Sequence, residues 1–286
     1  KNSWGAGWGE TGGLGTERGY IRIKYGSNKI GFGAAWVGAR MDDFILTAND
    51  RHTIDIRISH GDGTFDPPVS VGTDFGVGYV KFAIADFTGD GNLDFIAAID
   101  ESPPKLYLFT RTGPTVFTQT FLAVLDPELK HGLQDSDYGL GLTAVDLNND
   151  DHMDFLENMN VAFSNGTWIA RGNTYINDGQ GNFTKKSNAF DFRSIATGWT
   201  LAKTGNLMDL DGDGYPDMLA SEQASGDAVS SKVYLLKGKG DGTFQLLPTP
   251  VFTTANHPAT FMTLGDFNND GRVDALVGQD DDGDPG

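Results

Sequence analysis

The stretch DFTGDGNLD, Asp86 to Asp94, puts oxygen-bearing side chains on alternate residues and closes on a further aspartate. It recurs as DLNNDDHMD (Asp146 to Asp154), DLDGDGYPD (Asp209 to Asp217) and DFNNDGRVD (Asp266 to Asp274). The first aspartates stand 60, 63 and 57 residues apart. A motif that returns at so even a period belongs to a structural repeat of about 60 residues, so the chain is an array of one unit.

A tightly turned backbone brings alternate residues to a common centre, and a ring of carboxylate, amide, hydroxyl and carbonyl oxygens suits a hard cation. Calcium fits best: it accepts six to eight oxygens in flexible geometry, whereas magnesium holds to a stricter octahedron and keeps its waters. The expected ligands of the first loop are Asp86, Thr88, Asp90 and Asp94, with the carbonyl of Asn92. Those of the second are Asp146, Asn148, Asp150 and Asp154, with His152; of the third Asp209, Asp211, Asp213 and Asp217, with Tyr215; of the fourth Asp266, Asn268, Asp270 and Asp274, with Arg272. About four Ca2+ ions are expected. Glycine at the sixth position (Gly91, Gly214, Gly271) permits a sharp turn at positive φ. The second loop carries Asp151 there and is the weakest candidate.

A helix-loop-helix calcium site requires a bidentate glutamate at the twelfth position and amphipathic helices on both sides. The twelfth positions are Ala97, Glu157, Ala220 and Val277, and the one glutamate belongs to the loop without the glycine, so that match is read as coincidence. The flanks are short β-prone segments: FAIAD leads into the first loop and DFIAAI leaves it. Downstream lie turns ending in Phe: HGDGTF (His60 to Phe65), RTGPTVF (Arg111 to Phe117), NDGQGNF (Asn177 to Phe183) and KGKGDGTF (Lys237 to Phe244). Three of these are Gly/Asp-rich hairpin connections. Counting from Asp43, four-stranded units are expected at about 43–86, 94–146, 154–209 and 217–266, with a further strand from Asp274. Four short strands per repeat without an amphipathic helix predict an all-β chain, a β-propeller of four full blades and a partial fifth.

The charge agrees with metal loops. Acidic residues number 39 against 21 basic ones, a formal net charge of −18, and 13 of the carboxylates sit at assigned ligand positions. Such a surface argues against nucleic-acid binding, which needs a basic face to neutralise phosphate. There is no apolar run long enough for membrane insertion, and the absence of cysteine excludes disulfides, zinc-thiolate sites and thiol catalysis within this chain. Asn165-Gly-Thr and Asn182-Phe-Thr are glycosylation sequons if the source is a eukaryote. Millimolar calcium points to an extracellular, secreted or cell-surface location.

From the loops, the apolar strand before each and the downstream Gly-Asp-Gly-Thr-Phe turn, residues 32–280 resemble FG-GAP/VCBS repeats, calcium-binding propeller blades found in integrin α-chains and in many secreted microbial and fungal proteins. The resemblance implies that the ions brace the blades and take no part in catalysis. AWVGARMDD, ending at Asp42 and Asp43, resembles a decayed fifth loop, with Trp36 at the place of Phe87 and Gly38 at that of Gly89. Ala35, Val37, Ala39 and Met41 replace the ligands there, so no metal is expected.

Residues 1–37 form a separate segment ahead of the repeats of 38–286. KNSWGAGWGE, then GYIRIKYG, resembles the C-terminal end of papain-like cysteine peptidases. By that resemblance Asn2 matches the asparagine that orients the catalytic histidine, and Trp4 the indole that shields their hydrogen bond. GGLGTER, from Gly12 through Arg18, interrupts the usual pattern, and the chain holds no nucleophilic cysteine. Two readings follow. The start inside the signature favours the C-terminal piece of a larger peptidase, in which case Asn2 would be catalytic; otherwise the segment is a hairpin that helps to close the propeller. The chain alone is expected to cleave no peptide.

Remaining candidates are weaker. Gly7, Gly9 and Gly12 spell a dinucleotide fingerprint without the βαβ unit that it needs. His52, His60, His131, His152 and His257 are scattered along the repeats with no metal-ligand spacing. Tyr138, Trp168 and Trp199 offer aromatic faces that suit sugar rings, although packing between blades is the commoner use. The expected function is a non-enzymatic, calcium-stabilised extracellular binding or scaffold propeller whose ligand is carbohydrate or protein. The alternatives are the C-terminal targeting part of a cysteine peptidase and a glycan-binding lectin.

Overall fold

Lys105–Gly113 shows why this chain makes sheets: Leu106 and Leu108 enter one apolar cluster and Tyr107 and Phe109 another, the two-residue period of a strand packed on both faces, and Gly113-Pro114 then turns it back. The computed structural model describes residues 23–25, 28–30, 32–35, 44–49, 53–58, 60, 64–73, 80–99, 103–125, 141–162, 168–191, 207–223, 231–254 and 259–279. Every regular element among them is a strand.

A short hairpin comes first, β1 (Ile23–Tyr25) with β2 (Asn28–Ile30). Three four-stranded antiparallel meanders follow. The first blade is β3 (Phe32–Ala35), β4 (Phe44–Asn49), β5 (Thr53–Ile58) and β6 (Val69–Thr73), in that order. The second is β7 (Val80–Ala85), β8 (Asp94–Ile99), β9 (Lys105–Gly113) and β10 (Val116–Val124). The third is β11 (Gly141–Val145), β12 (Asp154–Ala162), β13 (Trp168–Asn177) and β14 (Phe183–Asp191). In the fourth, β15 (Met218–Gln223) pairs β16 (Ser231–Gly238), which pairs both β17 (Phe244–Leu246) and β18 (Phe252–Thr253). A bridge from Met208 to Asp217 stands in for its first strand. The fifth has β19 (Ala259–Gly265) and β20 (Asp274–Gln279). These are propeller blades, four of them with their strands paired across the sheet and a fifth in part.

The phase of the repeat differs from the sequence-based expectation by one strand. β7 feeds the loop at 86–94 and then pairs β8, which leaves it, with Ala85 opposite Asp94. The same closure occurs at Val145 with Asp154 and at Gly265 with Asp274. Each loop is therefore a hairpin connection inside a blade and not the joint between two blades. The units counted from Asp43 misplaced the feeding strand because an apolar strand in sequence gives no sign of which neighbour it pairs. The decayed loop moves too: β3 closes on β4 with Ala35 opposite Phe44, so Phe44 and not Asp43 holds the register position of Asp94.

Blades stack through their faces. β3 lies beside β7, β7 beside β11, and β15 beside β19. Ile54 and Ile56 of the first blade pack on Phe95, Ala97, Ile99 and Phe109 of the second. Its opposite face, with Ile96, Leu106 and Leu108, packs on Leu142, Phe155 and Tyr175 of the third. Leu147 and Leu156 then meet Met218, Tyr234 and Leu236, and Leu219 meets Met262 and Leu264. Phe95 stacks on Phe109 and Phe155 on Tyr175, at ring separations of 4.5 and 4.3 Å. The second residue of each of the first three loops, Phe87, Leu147 and Leu210, plugs the following blade, and Phe87 is fully buried and contacts Phe155 and Phe183 edge-on. Its counterpart Phe267 is 58 % exposed, and Leu276, the counterpart of buried Ile96, Leu156 and Leu219, is 52 % exposed. Among the described residues no sheet covers that face of the fifth blade.

Candidate metal centre

Each loop winds its backbone around its own first aspartate. In the first loop, Asp86 Oδ1 accepts the N–H of Gly89 (2.7 Å) and Asp90 (3.2 Å), and Oδ2 accepts that of Gly91 (2.8 Å). Asp209 does the same with Gly212, Asp213 and Gly214. Asp146 and Asp266 take the corresponding fifth- and sixth-position N–H groups. In all four loops the fifth-position aspartate, namely Asp90, Asp150, Asp213 and Asp270, accepts the N–H of the seventh residue, Asn92, His152, Tyr215 or Arg272. One hydrogen-bond scheme thus serves four different sequences.

The scheme needs left-handed backbone at the fourth and sixth positions. Gly89 and Gly91 supply it at φ 70° and 84°, and Gly212 and Gly214 at 80° and 90°. The second loop, without those glycines, adopts it as well, with Asn149 at 58° and Asp151 at 66°. Asp151 therefore keeps the turn, with backbone strain where glycine would have none.

The ninth aspartate has a second task. Asp94, Asp154 and Asp217 are fully buried. Asp94 Oδ2 accepts the N–H of Phe87 (3.0 Å) and of Thr88 (3.1 Å) and the Thr88 hydroxyl (3.1 Å), while Oδ1 accepts the N–H of Arg111 on β9 (2.8 Å). Asp154 ties Leu147 to Asn177, and Asp217 ties Leu210 to Gly238, in the same way. These carboxylates hold the loop to the third strand of its blade. Burial pushes the carboxyls of Asp94 and Asp217 above the usual range and that of Asp154 up to about 7, and neighbouring loop aspartates add to the rise. A cation in the loop would offset that burial and repulsion.

Convergence is tightest in the third loop, where Asp209, Asp211 and Asp217 bring carboxylate oxygens within 4.8 Å of one another. Asp213, assigned with them, instead faces the Tyr215 N–H and the Lys237 ammonium, at 3.0 Å each, and these hold its carboxyl below the usual range. In the second loop the buried Asn148 Oδ1 accepts no hydrogen bond among the described residues, while its amide nitrogen donates to Asp150. An oxygen left in that state at a third-position ligand site fits a cation. The donor set as a whole, carboxylates with amide and hydroxyl oxygens and no nitrogen or sulfur, fits calcium chemistry.

Glu157 lies on β12, buried, with Oε2 accepting the Tyr175 hydroxyl (2.8 Å) and the Asn173 amide (3.2 Å), in keeping with a coincidental twelfth-position match. His60 bonds Asp66 (2.8 Å) in its turn, and the ring of His152 lies over Gly179. His52, His131, His257, Tyr138, Trp199, Asn2, Trp4 and Asn165 lie outside the described residues, as does the side chain of Trp168.

Two joints escaped the sequence reading. Asn177 donates from Nδ2 to Phe87 O (2.8 Å) in the loop of the preceding blade and to Met153 O (3.0 Å), while its Oδ1 accepts from Gly179 and Gly181. It is a clamp between the first and second loops. Lys237, 26 residues beyond Asp211, reaches back to that loop. The one hint was the fourth carboxylate of DLDGDGYPD, which raises the demand for a nearby cation.

A family model described as FG-GAP-like repeat matches residues 40–97, 86–156 and 209–277, which take in all four loops. With more than half of its length so matched, the chain belongs to the FG-GAP-like repeat family. Comparison with curated proteins gives no match.

Proposed function

We propose that this chain is a non-enzymatic, calcium-stabilised propeller that serves outside the cell as a binding or scaffold module. The observation that carries the reading is the convergence of Asp209, Asp211 and Asp217 in a loop whose hydrogen-bond scheme recurs in three other blades. Asp86, Thr88, Asp90 and Asp94, with the Asn92 carbonyl, would hold the ion of the first loop, and their counterparts those of the others. The ion supplies positive charge to a cluster of carboxylates. The chain does the rest: the first aspartate shapes the turn, and the ninth pins it to the third strand. In the first three loops the second residue carries the loop into the next blade, so a settled loop also fixes the contact between blades.

A shift in melting temperature tests this. Calcium bound by the native state alone adds about 2.7 kcal/mol per site at a hundredfold excess over Kd. The transition should therefore move upward in millimolar calcium and fall back with a chelator; a melt indifferent to both contradicts the reading.

The proposed ligand is carbohydrate or protein: the net charge of −18 disfavours nucleic acid, and the sequence has no apolar run long enough for membrane insertion. One observation favours a second reading, the KNSWGAGWGE signature at Lys1, which would make the propeller the targeting part of a cysteine peptidase. A papain-type fluorogenic peptide offered to the isolated chain should stay intact in either case, because a chain without cysteine has no thiolate to activate. Cleavage above a heat-treated control would contradict both.

A further inference from the structure

The third loop differs from its three relatives in two respects that belong together. Its third position is Asp211, where the others carry Thr88, Asn148 and Asn268, so it holds one more carboxylate at the ligand positions. It alone among the described loops also receives an ammonium from its own blade: Lys237 bonds Asp211 Oδ2 and lies 3.0 Å from Asp213 Oδ2. The position is defined by the sheet. Gly238, next to Lys237, donates its N–H to Asp217 as Arg111 does to Asp94 and Asn177 to Asp154. Lys237 therefore occupies the place of Thr110 and Ile176, neither of which brings a charge. With the ammonium counted, the four ligand-position carboxylates of the third loop carry the same net charge as the three at the ligand positions of each other loop.

We propose that Lys237 is an internal counter-ion of the third loop, bridging Asp211 and Asp213 in the calcium-free protein and giving way when calcium enters. The inference rests on the calcium reading above. It follows that the third loop stays closed without metal, that it binds calcium more weakly than its four carboxylates would otherwise allow, and that Lys237 tunes this one site. The side chain is about one-third exposed at 34 %, so the ammonium has room to swing into water as the ion binds. The long methylene stem allows that movement with little backbone change.

The third loop also carries its own reporter. Tyr215 holds the seventh position, where the other loops have Asn92, His152 and Arg272, so terbium bound there in place of calcium is sensitised by excitation of tyrosine. The full chain and Lys237→Met, which keeps the stem and removes the charge, are titrated with terbium and back-titrated with calcium. A Tyr215→Phe control identifies the signal. The expected result is a midpoint at least tenfold lower for Lys237→Met in both titrations, and a return toward the parent value in Lys237→Met/Asp211→Asn, which restores the charge balance. In chelator the Lys237→Met protein should melt below the parent, since uncompensated carboxylates remain; in saturating calcium it should melt at or above it. Saturable signals with equal midpoints in the parent and Lys237→Met overturn this inference and leave the calcium reading standing. Absence of a saturable signal together with a melt indifferent to calcium overturns both.

Discussion

Replacing Asp94 by alanine separates the structural task of the ninth aspartate from its task as a ligand. The carboxylate is fully buried and receives the N–H groups of Phe87, Thr88 and Arg111 and the Thr88 hydroxyl. Phe87 and Arg111 are themselves buried, so alanine strands two donors away from water, at about 1–3 kcal/mol each. Part of this is returned, because burial already raises the carboxyl and its charge is held at a cost. A net loss of about 3–4 kcal/mol is expected even in chelator, a large share of the roughly 5–15 kcal/mol typical of a domain. Asparagine keeps one acceptor and turns a donor toward the other N–H, so Asp94→Asn should lose about 2 kcal/mol. Asp86→Ala is the contrast: its accepting bonds are exposed, so in chelator it should cost about 1 kcal/mol, yet it should abolish calcium binding at that loop as fully as Asp94→Ala does. Urea unfolding followed by circular dichroism, with and without calcium, measures all three. Equal losses for Asp94→Ala and Asp86→Ala in chelator would refute the linchpin role.

Asp151→Gly removes backbone strain at φ 66° and should raise stability in chelator by about 0.5–1 kcal/mol, read from the urea midpoint; a loss would show that the aspartate does more than turn the chain. Asn177→Ala cuts the clamp between the first two loops and should cost about 2–4 kcal/mol, with hydrogen exchange rising at Phe87 and Gly181 together. Gly172→Ala would place a Cβ 2.1 Å from the Phe190 ring and 2.9 Å from Glu157 O, so the third blade should lose about 2–3 kcal/mol in the same urea assay.

The all-β architecture and the four loops were legible because their signals are local. The alternate oxygen-bearing residues of each loop, with the sixth-position glycine of three of them, lie within nine residues, and each turn with its closing Phe lies within eight. Strand pairing is not local. FAIAD reads as a strand, but only the register of Ala85 opposite Asp94 shows that it pairs across its own loop. Phe44 replaced Asp43 as the counterpart of Asp94 for the same reason: sequence alignment of a decayed loop has no ligands left to anchor it. The ninth aspartates looked like ligands only, since their bonds to Arg111, Asn177 and Gly238 span 17, 23 and 21 residues. Glycine at the sixth position proved sufficient but not necessary, because Asp151 enters the same backbone region without it.

Counting bound metal tests the central claim most directly. The full chain is equilibrated with calcium, passed free of unbound ion, and analysed for calcium and magnesium per mole of protein by elemental mass spectrometry, beside a variant with Asp86, Asp146, Asp209 and Asp266 all changed to asparagine. The four-loop account predicts about four calcium ions per chain in the parent, little magnesium, and close to none in the variant. A parent that retains no calcium, or a variant that retains as much as the parent, would contradict it.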